Sequence, residues 1–156
     1  MVEQVHGDMF SVGADILVNT VNCVGVMGCG VALAFKKRYP HMFKEYRTRC
    51  LRNQIKPGEM WCCEVEDGIT VVNFPTKLHW KNPSKYEYVR TGLVALRSFL
   101  ETVPPGSKIA LPALGCGHGG LDWTEVLSEI QSHLGNLDHI DIFVFHPSDS
   151  RKVGRP

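Results

Sequence analysis

Apolar residues recur at helical spacing in the second half of the chain. Five of them, separated by steps of four, three, four and three residues, are Val89, Leu93, Leu96, Leu100 and Val103. Such a stripe lies on one face of a helix. The preceding run Ser84-Lys85-Tyr86-Glu87 has the capping-box pattern with which helices begin, and the prolines and glycine at 104–106 end the segment. The pattern predicts an amphipathic helix with Ser84 as its N-cap.

Shorter apolar runs between polar turns predict five strands, at residues 16–18, 60–65, 69–74, 108–112 and 140–145. An Asp67-Gly68 turn joins the second strand to the third as a hairpin. Further helices are predicted at residues 31–38, 41–53 and 122–134, with Pro40 ending the first and Asp122 capping the last. Strands that alternate with helices predict an α/β domain, in which helices cover both faces of a mixed sheet.

Two glycine-rich loops each follow a predicted strand and precede a predicted helix. Loop one is residues 22–30 (NCVGVMGCG), and loop two is residues 114–120 (LGCGHGG). Glycine lets backbone amides approach an anion, and a helix N-terminus adds about half a positive charge, so both loops suit a diphosphate. Loop one matches neither the Walker pattern nor the dinucleotide fingerprint. Two tight strand-to-helix turns without a ligand are the alternative interpretation.

Composition and charge narrow the class of protein without identifying a partner. The 156 residues, 44% hydrophobic and 21% charged, fit one soluble domain at 1–147 followed by a polar, basic tail at 148–156. With 17 Lys and Arg against 16 Asp and Glu, any contact with nucleic acid must use a local patch. No apolar run is long enough to span a membrane and no export signal is visible, so we expect a cytoplasmic protein.

Six cysteines are present, none of them in a CxxC pair, and we expect free, buried thiols. Cys23, Cys29, Cys116 and His118 have no zinc-ligand spacing, so no metal is expected. Cys116 lies near a predicted helix N-terminus, which would lower the pKa of its thiol. A nucleophilic role for Cys116 is conceivable, although a small packed residue is the interpretation we prefer.

Three motifs in order resemble the macrodomain family, over about Val5 to Pro147. The first motif combines Gly7-Asp8 with residues 14–22 (ADILVNTVN) and 28–32 (GCGVA). The third motif, at residues 111–123 (LPALGCGHGGLDW), resembles the second phosphate loop of that family. The middle run at 73–80 (NFPTKLHW) is similar to the DNA ADP-ribosyl glycohydrolase antitoxins of the DarG type, which are related to the terminal ADP-ribose glycohydrolase branch.

The resemblance implies a three-layer α/β/α fold around a six-stranded mixed sheet, with a site for ADP-ribose. Asp8 would bond the adenine amino group, Asn22 the distal ribose, and loop two the diphosphate. Phe145 or His146, at the end of the last strand, is a candidate for stacking on adenine. The expected ADP-ribose-binding residues are Asp8, Met9, Asn19, Asn22, Gly28, Cys29, Gly30, Val31, Thr76, Pro112, Leu114, Gly115, Cys116, Gly117, His118, Gly119 and Phe145.

The resemblance further implies that Lys77 carries catalysis. Its neutral amine would attack C1 of the distal ribose and leave a Schiff base that water resolves. Phe74 and Trp80 are expected to shield this amine from water. His118 and His79 are candidate general acids or bases, with packing or loop capping as the alternative for each. The expected catalytic residues are Lys77, Asn22 and His118. Without the resemblance, a solvated lysine that pairs with phosphate or DNA would be the simpler interpretation.

Contacts to DNA are expected from Trp80, Lys81 and Lys85, because an exposed aromatic ring stacks on an unpaired or flipped base. The implied partners are ADP-ribose, ADP-ribosylated DNA and a cognate DNA ADP-ribosyltransferase toxin. No cofactor and no membrane are implied, and we expect a monomer. A solvated loop with a packed tryptophan is the alternative for this segment.

Three departures from the family pattern leave the acceptor of ADP-ribose open. Cys29 stands where the family often has lysine, His118 where it often has asparagine, and Gly119 where the terminal-glycohydrolase branch has aspartate. The interpretation we favour is release of ADP-ribose from a DNA base, with thymidine as the expected nucleoside. The alternatives are hydrolysis of ADP-ribose esters on protein or of O-acetyl-ADP-ribose, and binding of ADP-ribose without chemistry.

Overall fold

Six strands form a mixed sheet in the computed structural model, which describes residues 1–147; the predicted tail at 148–156 lies outside the described residues. In chain order the strands are β1 (Val2–Val5), β2 (Ile16–Val21), β3 (Trp61–Glu64), β4 (Thr70–Pro75), β5 (Lys108–Leu111) and β6 (Asp141–Phe145). Their order across the sheet is β1-β6-β5-β2-β4-β3, and β3 is antiparallel to β4 while the other pairs are parallel. Five strands therefore end at the same edge of the sheet.

Four helices cover the two faces of the sheet: α1 (Gly30–Arg38), α2 (Pro40–Leu51), α3 (Tyr86–Leu100) and α4 (Trp123–Leu134). Because successive strand residues point to opposite faces, Leu17 and Val71 pack with α1 and α2, whereas Val18 and Val72 pack with α3 and α4. The predicted three-layer α/β/α fold is confirmed. In the chain from residue 1 to residue 147, none of the helices combines the length and apolar character that crossing a membrane requires.

Several local predictions are confirmed. The stripe of α3 is buried at Val89, Leu93, Leu96 and Leu100. The β3–β4 hairpin forms around a short 3-10 turn, Glu66–Gly68, in which Asp67 has a φ of 59°. Asp122 caps α4, since its Oδ2 accepts a hydrogen bond of 3.1 Å from the Glu125 amide.

The structure differs from the predicted elements in several places. Ser84 does not cap α3: the N-cap is Lys85, and the buried Ser84 Oγ has no partner within the described chain. Ser84 instead lies beneath loop two, where its amide donates to the Gly119 carbonyl at 3.0 Å. Pro40 ends one helix and also begins the next, because the first turn of a helix needs no amide hydrogen there. The hydrophobic pattern does not predict β1, an edge strand whose central residues are polar and exposed.

Close packing against α3 anchors the end of β4. Phe74 is fully buried, and its ring lies directly over Gly92 in the middle of α3. A Cβ atom added at Gly92 would collide with the Cζ and Cε1 atoms of that ring. The absence of a side chain at Gly92 therefore sets how near β4 and α3 approach, and with it the position of the segment that follows Pro75.

We expect Gly92→Ala to lower the free energy of unfolding by at least about 1 kcal/mol, measured by urea denaturation. Alanine normally stabilises a helix interior relative to glycine, but overpacking of the buried ring outweighs that gain. Val94→Ala is the matched control, because Val94 lies two residues away on α3 and is 56% exposed; its effect should stay within about 0.5 kcal/mol. An unchanged or higher stability of Gly92→Ala would show that Phe74 does not occupy this position.

Candidate functional site

An open cavity of about 780 Å³ lies at the sheet edge where the parallel strands end, between loop one and loop two. Crevices beyond the carboxyl ends of strands are where open α/β sheets bind ligands. The cavity wall includes most of the residues predicted to bind or react with a ligand: Asn22, Gly28, Cys29, Gly30, Val31, Thr76, Lys77, Trp80, Lys81, Pro112, Gly115, Gly117, His118 and Gly119.

Loop one presents unpaired amides at the open N-terminus of α1. Cys29 is the N-cap of α1, and its side chain makes no capping hydrogen bond. Within residues 1–147, no acceptor takes the amide hydrogens of Gly28, Cys29, Gly30 or Val31. Gly30 has a φ of 61°, a left-handed conformation that favours glycine. The unpaired donors and the helix dipole together form a binding site for an anion.

Loop two closes the opposite side of the cavity with a second set of amides. The Leu121 amide donates to the Gly115 carbonyl at 3.0 Å and so closes the loop on itself. The amide hydrogens of Gly117, His118 and Gly119 have no acceptor in the part of the chain that the structure describes. A Cβ atom at Gly119 would collide with Ser84 Oγ and the Gly115 carbonyl, so only glycine fits this turn. Since Asp122 already caps α4, α1 is the helix whose N-terminus is open to an anion.

Asn22 organises loop one through its side-chain amide. Its Oδ1 accepts hydrogen bonds from the Val24 amide at 3.1 Å and from the Tyr46 hydroxyl at 2.9 Å, and its Nδ2 donates to the Val26 carbonyl at 2.8 Å. Burial raises the pKa of Tyr46 far above its ordinary value, so its hydroxyl stays protonated and remains a donor. Asn22 is 92% buried, so its side chain fixes the shape of the loop from within.

Lys77 lies between the two loops. Its Nζ donates to the His118 carbonyl at 3.3 Å and to the Trp80 carbonyl at 3.4 Å. The segment that carries it is tied to loop one, because the Cys23 amide donates to the Leu78 carbonyl at 3.1 Å. The structure thus places a primary amine against loop two, on a segment fixed to loop one.

His118 brings loop two over the start of α1. An ideal Cβ at Gly30 would lie 3.9 Å from His118 Cδ2, so this imidazole faces the N-terminus of α1. The side chain is exposed in the cavity wall. His79 is placed differently: its ring packs beside Trp80, at 5.3 Å between centroids, and its Nδ1 accepts from the Lys81 amide at 3.1 Å. His79 lies outside the cavity lining, whereas His118 forms part of it.

The rim of the cavity carries an exposed aromatic ring beside a cation. Trp80 is 49% exposed, and Lys81 Nζ lies 5.2 Å from the centroid of its ring. Phe74 does not shield the amine of Lys77 as predicted, because its ring packs into the core against α3. Lys85, predicted with the rim, lies outside the cavity lining and places its Nζ 5.5 Å from the Tyr88 ring.

Several predicted ligand contacts lie outside the cavity wall. Four of them are buried in the core, so their side chains face the packed layers of the fold and not the cavity: Met9, Asn19, Leu114 and Phe145. Asn19 belongs to β2, and its side chain is fully buried on the face of the sheet that α1 and α2 cover. Its Nδ2 donates to Asn73 Oδ1 at 3.1 Å. Asp8 caps the 3-10 helix Met9–Ser11, accepting from the Phe10 amide at 2.9 Å.

Cys116 is packed, as the preferred interpretation predicts, but it lies outside the cavity lining and the predicted lowering of its pKa is not found. The Cys116 side chain, which belongs to loop two, is buried, and burial together with the charge of Asp122 raises the pKa of its thiol to about 12. A raised pKa removes the thiolate character that a nucleophile needs. All six cysteines are free as predicted, but Cys29 and Cys62 are exposed rather than buried. Within residues 1–147 no three His, Cys, Asp or Glu side chains converge as metal ligands would.

The pattern of the sequence misses part of the cavity wall. The missed residues are Thr20, Val21, Val26, Ala32, Asn82, Pro83, Ser84, Ala113 and Gly120. Thr20 and Val21 belong to β2, which extends three residues beyond its predicted end. Asn82 and Pro83 form the turn before α3, and Asn-Pro is a turn signal that could have placed them in a loop at the cavity.

Comparison with known proteins gives one consistent result. A family model of the Macro domain matches residues 18–130. A protein of Mycobacterium tuberculosis named DNA ADP-ribosyl glycohydrolase is 42% identical over 98% of this chain and 44% of its own length. This chain therefore spans less than half the length of that relative. The solved macrodomain of Mycobacterium tuberculosis DarG superimposes with a TM-score of 0.89, at 39% identity, over 94% of this chain and 98% of that one.

A relative from Thermosipho africanus matches over a similar region. It is named a DNA ADP-ribosyl transferase–DNA ADP-ribosyl glycohydrolase fusion protein, and it is 33% identical over 94% of this chain and 42% of its own length. A structure titled Thermosipho africanus DarTG in complex with ADP-ribose has a TM-score of 0.82, at 29% identity, and covers 94% of this chain and 42% of that one. The family match, the full-chain identity and the shared fold agree, and the chain belongs to the Macro domain family.

Proposed function

We propose that this chain binds ADP-ribose in the cavity between its two loops and hydrolyses the N-glycosidic bond that joins ADP-ribose to a DNA base. The observation that carries the proposal is the position of Lys77, whose Nζ lies 3.3 Å from the His118 carbonyl at the cavity wall. A protein that only binds ADP-ribose needs the unpaired amides of the two loops, but it does not need an amine beside them. The names of the relatives support DNA as the carrier of the modification.

The diphosphate is assigned to the unpaired amides of the two loops. Gly28 to Val31 and Gly117 to Gly119 offer donors from both sides of the cavity, and α1 adds the positive end of its dipole. Backbone amides bind an anion without a cationic side chain, so Cys29 serves where the family often has lysine. The distal ribose then lies toward Asn22 and Lys77, which we assign to its binding and reaction.

The reaction proceeds through nucleophilic attack. Lys77 Nζ, after losing a proton to water, attacks C1 of the distal ribose, and the bond from that carbon to the base nitrogen breaks. The base leaves with its bonding electron pair and accepts a proton, for which we assign the exposed imidazole of His118 as the donor. The attached sugar then loses a proton from nitrogen and opens its ring to a Schiff base. Water adds to the C=N bond, and release of Lys77 completes the hydrolysis to free ADP-ribose and unmodified base.

The base that carries the modification is assigned to the rim at Trp80. A half-exposed indole beside the cation of Lys81 offers a stacking surface for an unpaired base. The substrate is therefore single-stranded DNA or a flipped nucleotide, and we assign thymine as the modified base. A cognate DNA ADP-ribosyltransferase, with this chain acting as its antitoxin, is the partner that the fusion relative favours.

A side-by-side assay tests the substrate class. The protein is incubated with single-stranded DNA that is ADP-ribosylated on thymine, with DNA modified on guanine, and with protein modified on acidic residues. We expect release of ADP-ribose chiefly from the thymine substrate. Release from the protein ester alone would contradict the proposal and favour an ester hydrolase.

Lys77→Ala is expected to keep the affinity for ADP-ribose within about threefold and to reduce release from modified DNA by at least about 100-fold. The reason is that the amides hold the diphosphate while the amine supplies the reaction. Calorimetry measures the binding, and chromatography of released ADP-ribose measures the turnover. The control is Lys108→Ala, an exposed lysine at the opposite edge of the sheet. Undiminished turnover by Lys77→Ala would rule out the mechanism.

Trp80→Ala is expected to raise KM for a modified oligonucleotide by roughly tenfold, because stacking on a base contributes about 1–3 kcal/mol. The affinity for free ADP-ribose should not change, since free ADP-ribose lacks the DNA base that we assign to stacking on Trp80. Leu78→Ala is a matched control: Leu78 is 48% exposed, close to the 49% of Trp80, but lies outside the cavity lining. An equal loss for DNA and for free ADP-ribose would place Trp80 in the sugar-nucleotide site instead.

A further inference from the structure

The positive charge of this protein is concentrated on the α1–α2 hairpin. Residues 30–56 contain a single acidic residue, Glu45, and eight of the 17 Lys and Arg in the chain. The eight are Lys36, Lys37, Arg38, Lys44, Arg47, Arg49, Arg52 and Lys56. Because the net charge of the whole chain is +1, the remainder of the molecule is acidic. A charge separation of this size directs an anionic partner to one side of the protein.

Some of these cations serve the fold. Arg49 pairs with Glu45 at 3.3 Å, and Arg38 lies 4.2 Å from the centroid of the Phe10 ring. Lys37, Lys44 and Arg47 are different, because they are exposed and have no acidic partner among residues 1–147. Three like charges on one surface repel one another, so their placement together carries a cost that binding of an anion would offset.

These three cations line an open groove between α1 and α2, together with Lys36 and the apolar side chains of Phe43 and Leu51. Leu51 is 78% exposed, and Lys36 Nζ lies 4.5 Å from the centroid of the Phe43 ring. α2 has 12 residues and extends over about 18 Å, which is long enough to contact several consecutive phosphates of a strand.

The groove adjoins the cavity at loop one. A Cβ at Gly25, in loop one, would lie 3.3 Å from Arg47 Cγ, so the stem of Arg47 packs on the outer side of that loop. α1 connects the same two places, since Val31 and Ala32 in its first turn line the cavity and Lys36 and Lys37 in its last turn line the groove. A strand that leaves the cavity across loop one therefore reaches this surface directly.

We propose that the surface formed by Lys37, Lys44 and Arg47 binds the phosphate backbone of the DNA strand that flanks the modified nucleotide. This inference rests on the proposed DNA substrate. A modified base held at the cavity remains joined to its neighbours, so the flanking phosphates must leave the cavity along the protein surface. The loop-one side offers them uncompensated cations, and Trp80 offers a stacking ring at the cavity rim. The ADP-ribose cavity and the α1–α2 groove then bind different parts of one substrate.

The test measures binding of an unmodified, fluorescein-labelled single-stranded oligonucleotide of about 15 nucleotides by anisotropy, over a series of salt concentrations. The protein is compared with the double variant Lys37→Gln and Lys44→Gln, which leaves the loop-one contact of Arg47 intact. Each lost phosphate contact reduces the slope of log Kd against log salt by about 0.7, so the double variant should lose about 1.4. Kd at low salt should rise roughly tenfold.

The same variants are then assayed on two substrates, a modified oligonucleotide and a modified nucleoside without flanking phosphates. We expect KM to rise for the oligonucleotide alone, with kcat unchanged on both. Lys108→Gln is the control for loss of a positive charge elsewhere, since Lys108 is exposed at the far edge of the sheet. Circular dichroism confirms that each variant is folded.

The outcomes separate this inference from the proposed function. An unchanged slope and Kd in the double variant would overturn the DNA-binding surface and leave an acidic protein as the candidate partner of the groove. A wild-type protein that releases no ADP-ribose from any modified DNA would overturn the proposed function. Oligonucleotide binding requires no turnover, so the anisotropy measurement tests the DNA-binding surface independently of the proposed hydrolysis.

Discussion

The amide hydrogens that loop one and loop two leave without acceptors are the constraint around which the site is built. A backbone donor without a partner costs free energy unless water or a ligand satisfies it, so these amides require an open cavity. Parallel strands bring the two loops to the same edge of the sheet. Glycine permits the left-handed backbone at Gly30 and leaves room for the tight turn at Gly119. The result is a fixed set of donors directed at one space, which suits a diphosphate better than a single cation does.

Lys77 belongs to this arrangement through packing that lies outside the cavity. Phe74 anchors the end of β4 on α3, and the Cys23 amide fixes the following segment at Leu78. The Lys77 amine then lies within hydrogen-bond distance of the carbonyls of Trp80 and His118. In the reaction we propose, such preorganisation would favour catalysis, because a nucleophile that is already placed near the reacting carbon loses little entropy.

The proposed DNA-binding surface rests on the charge distribution of the chain. A net charge of +1 gives no indication of a polyanionic partner, yet the α1–α2 hairpin is strongly basic and the remainder is acidic. The cavity offers backbone amides without acceptors, whereas the groove offers exposed cationic side chains. These are different means of binding phosphate: the first imposes a geometry, and the second supplies attraction that depends on salt. One DNA substrate with a single modified base would use both.

Much of the fold follows from the order of apolar and polar residues. The alternation of strands and helices, the buried stripe of α3, the hairpin at Asp67 and the Asp122 cap depend on neighbours within a few residues, so local patterns predict them correctly. The two glycine loops also lie at the ends of strands as predicted, and the motif at 73–80 directs attention to Lys77. Edge strand β1 escapes prediction, because its polar central residues bury no continuous face.

The amino-acid sequence by itself determined the α/β class, the two glycine-rich loops at the ends of strands and the residues that resemble those of macrodomains. The tertiary structure alone decided which of those residues reach the cavity. In the folded chain Asn19 and Phe145 are buried. Ser84 donates to the Gly119 carbonyl of loop two instead of capping α3, and burial raises the pKa of the Cys116 thiol. The tertiary structure also placed the cations of α1 and α2 on one surface. The reason is physical: burial, electrostatic environment and side-chain direction depend on residues distant in the chain, which meet only when the layers pack.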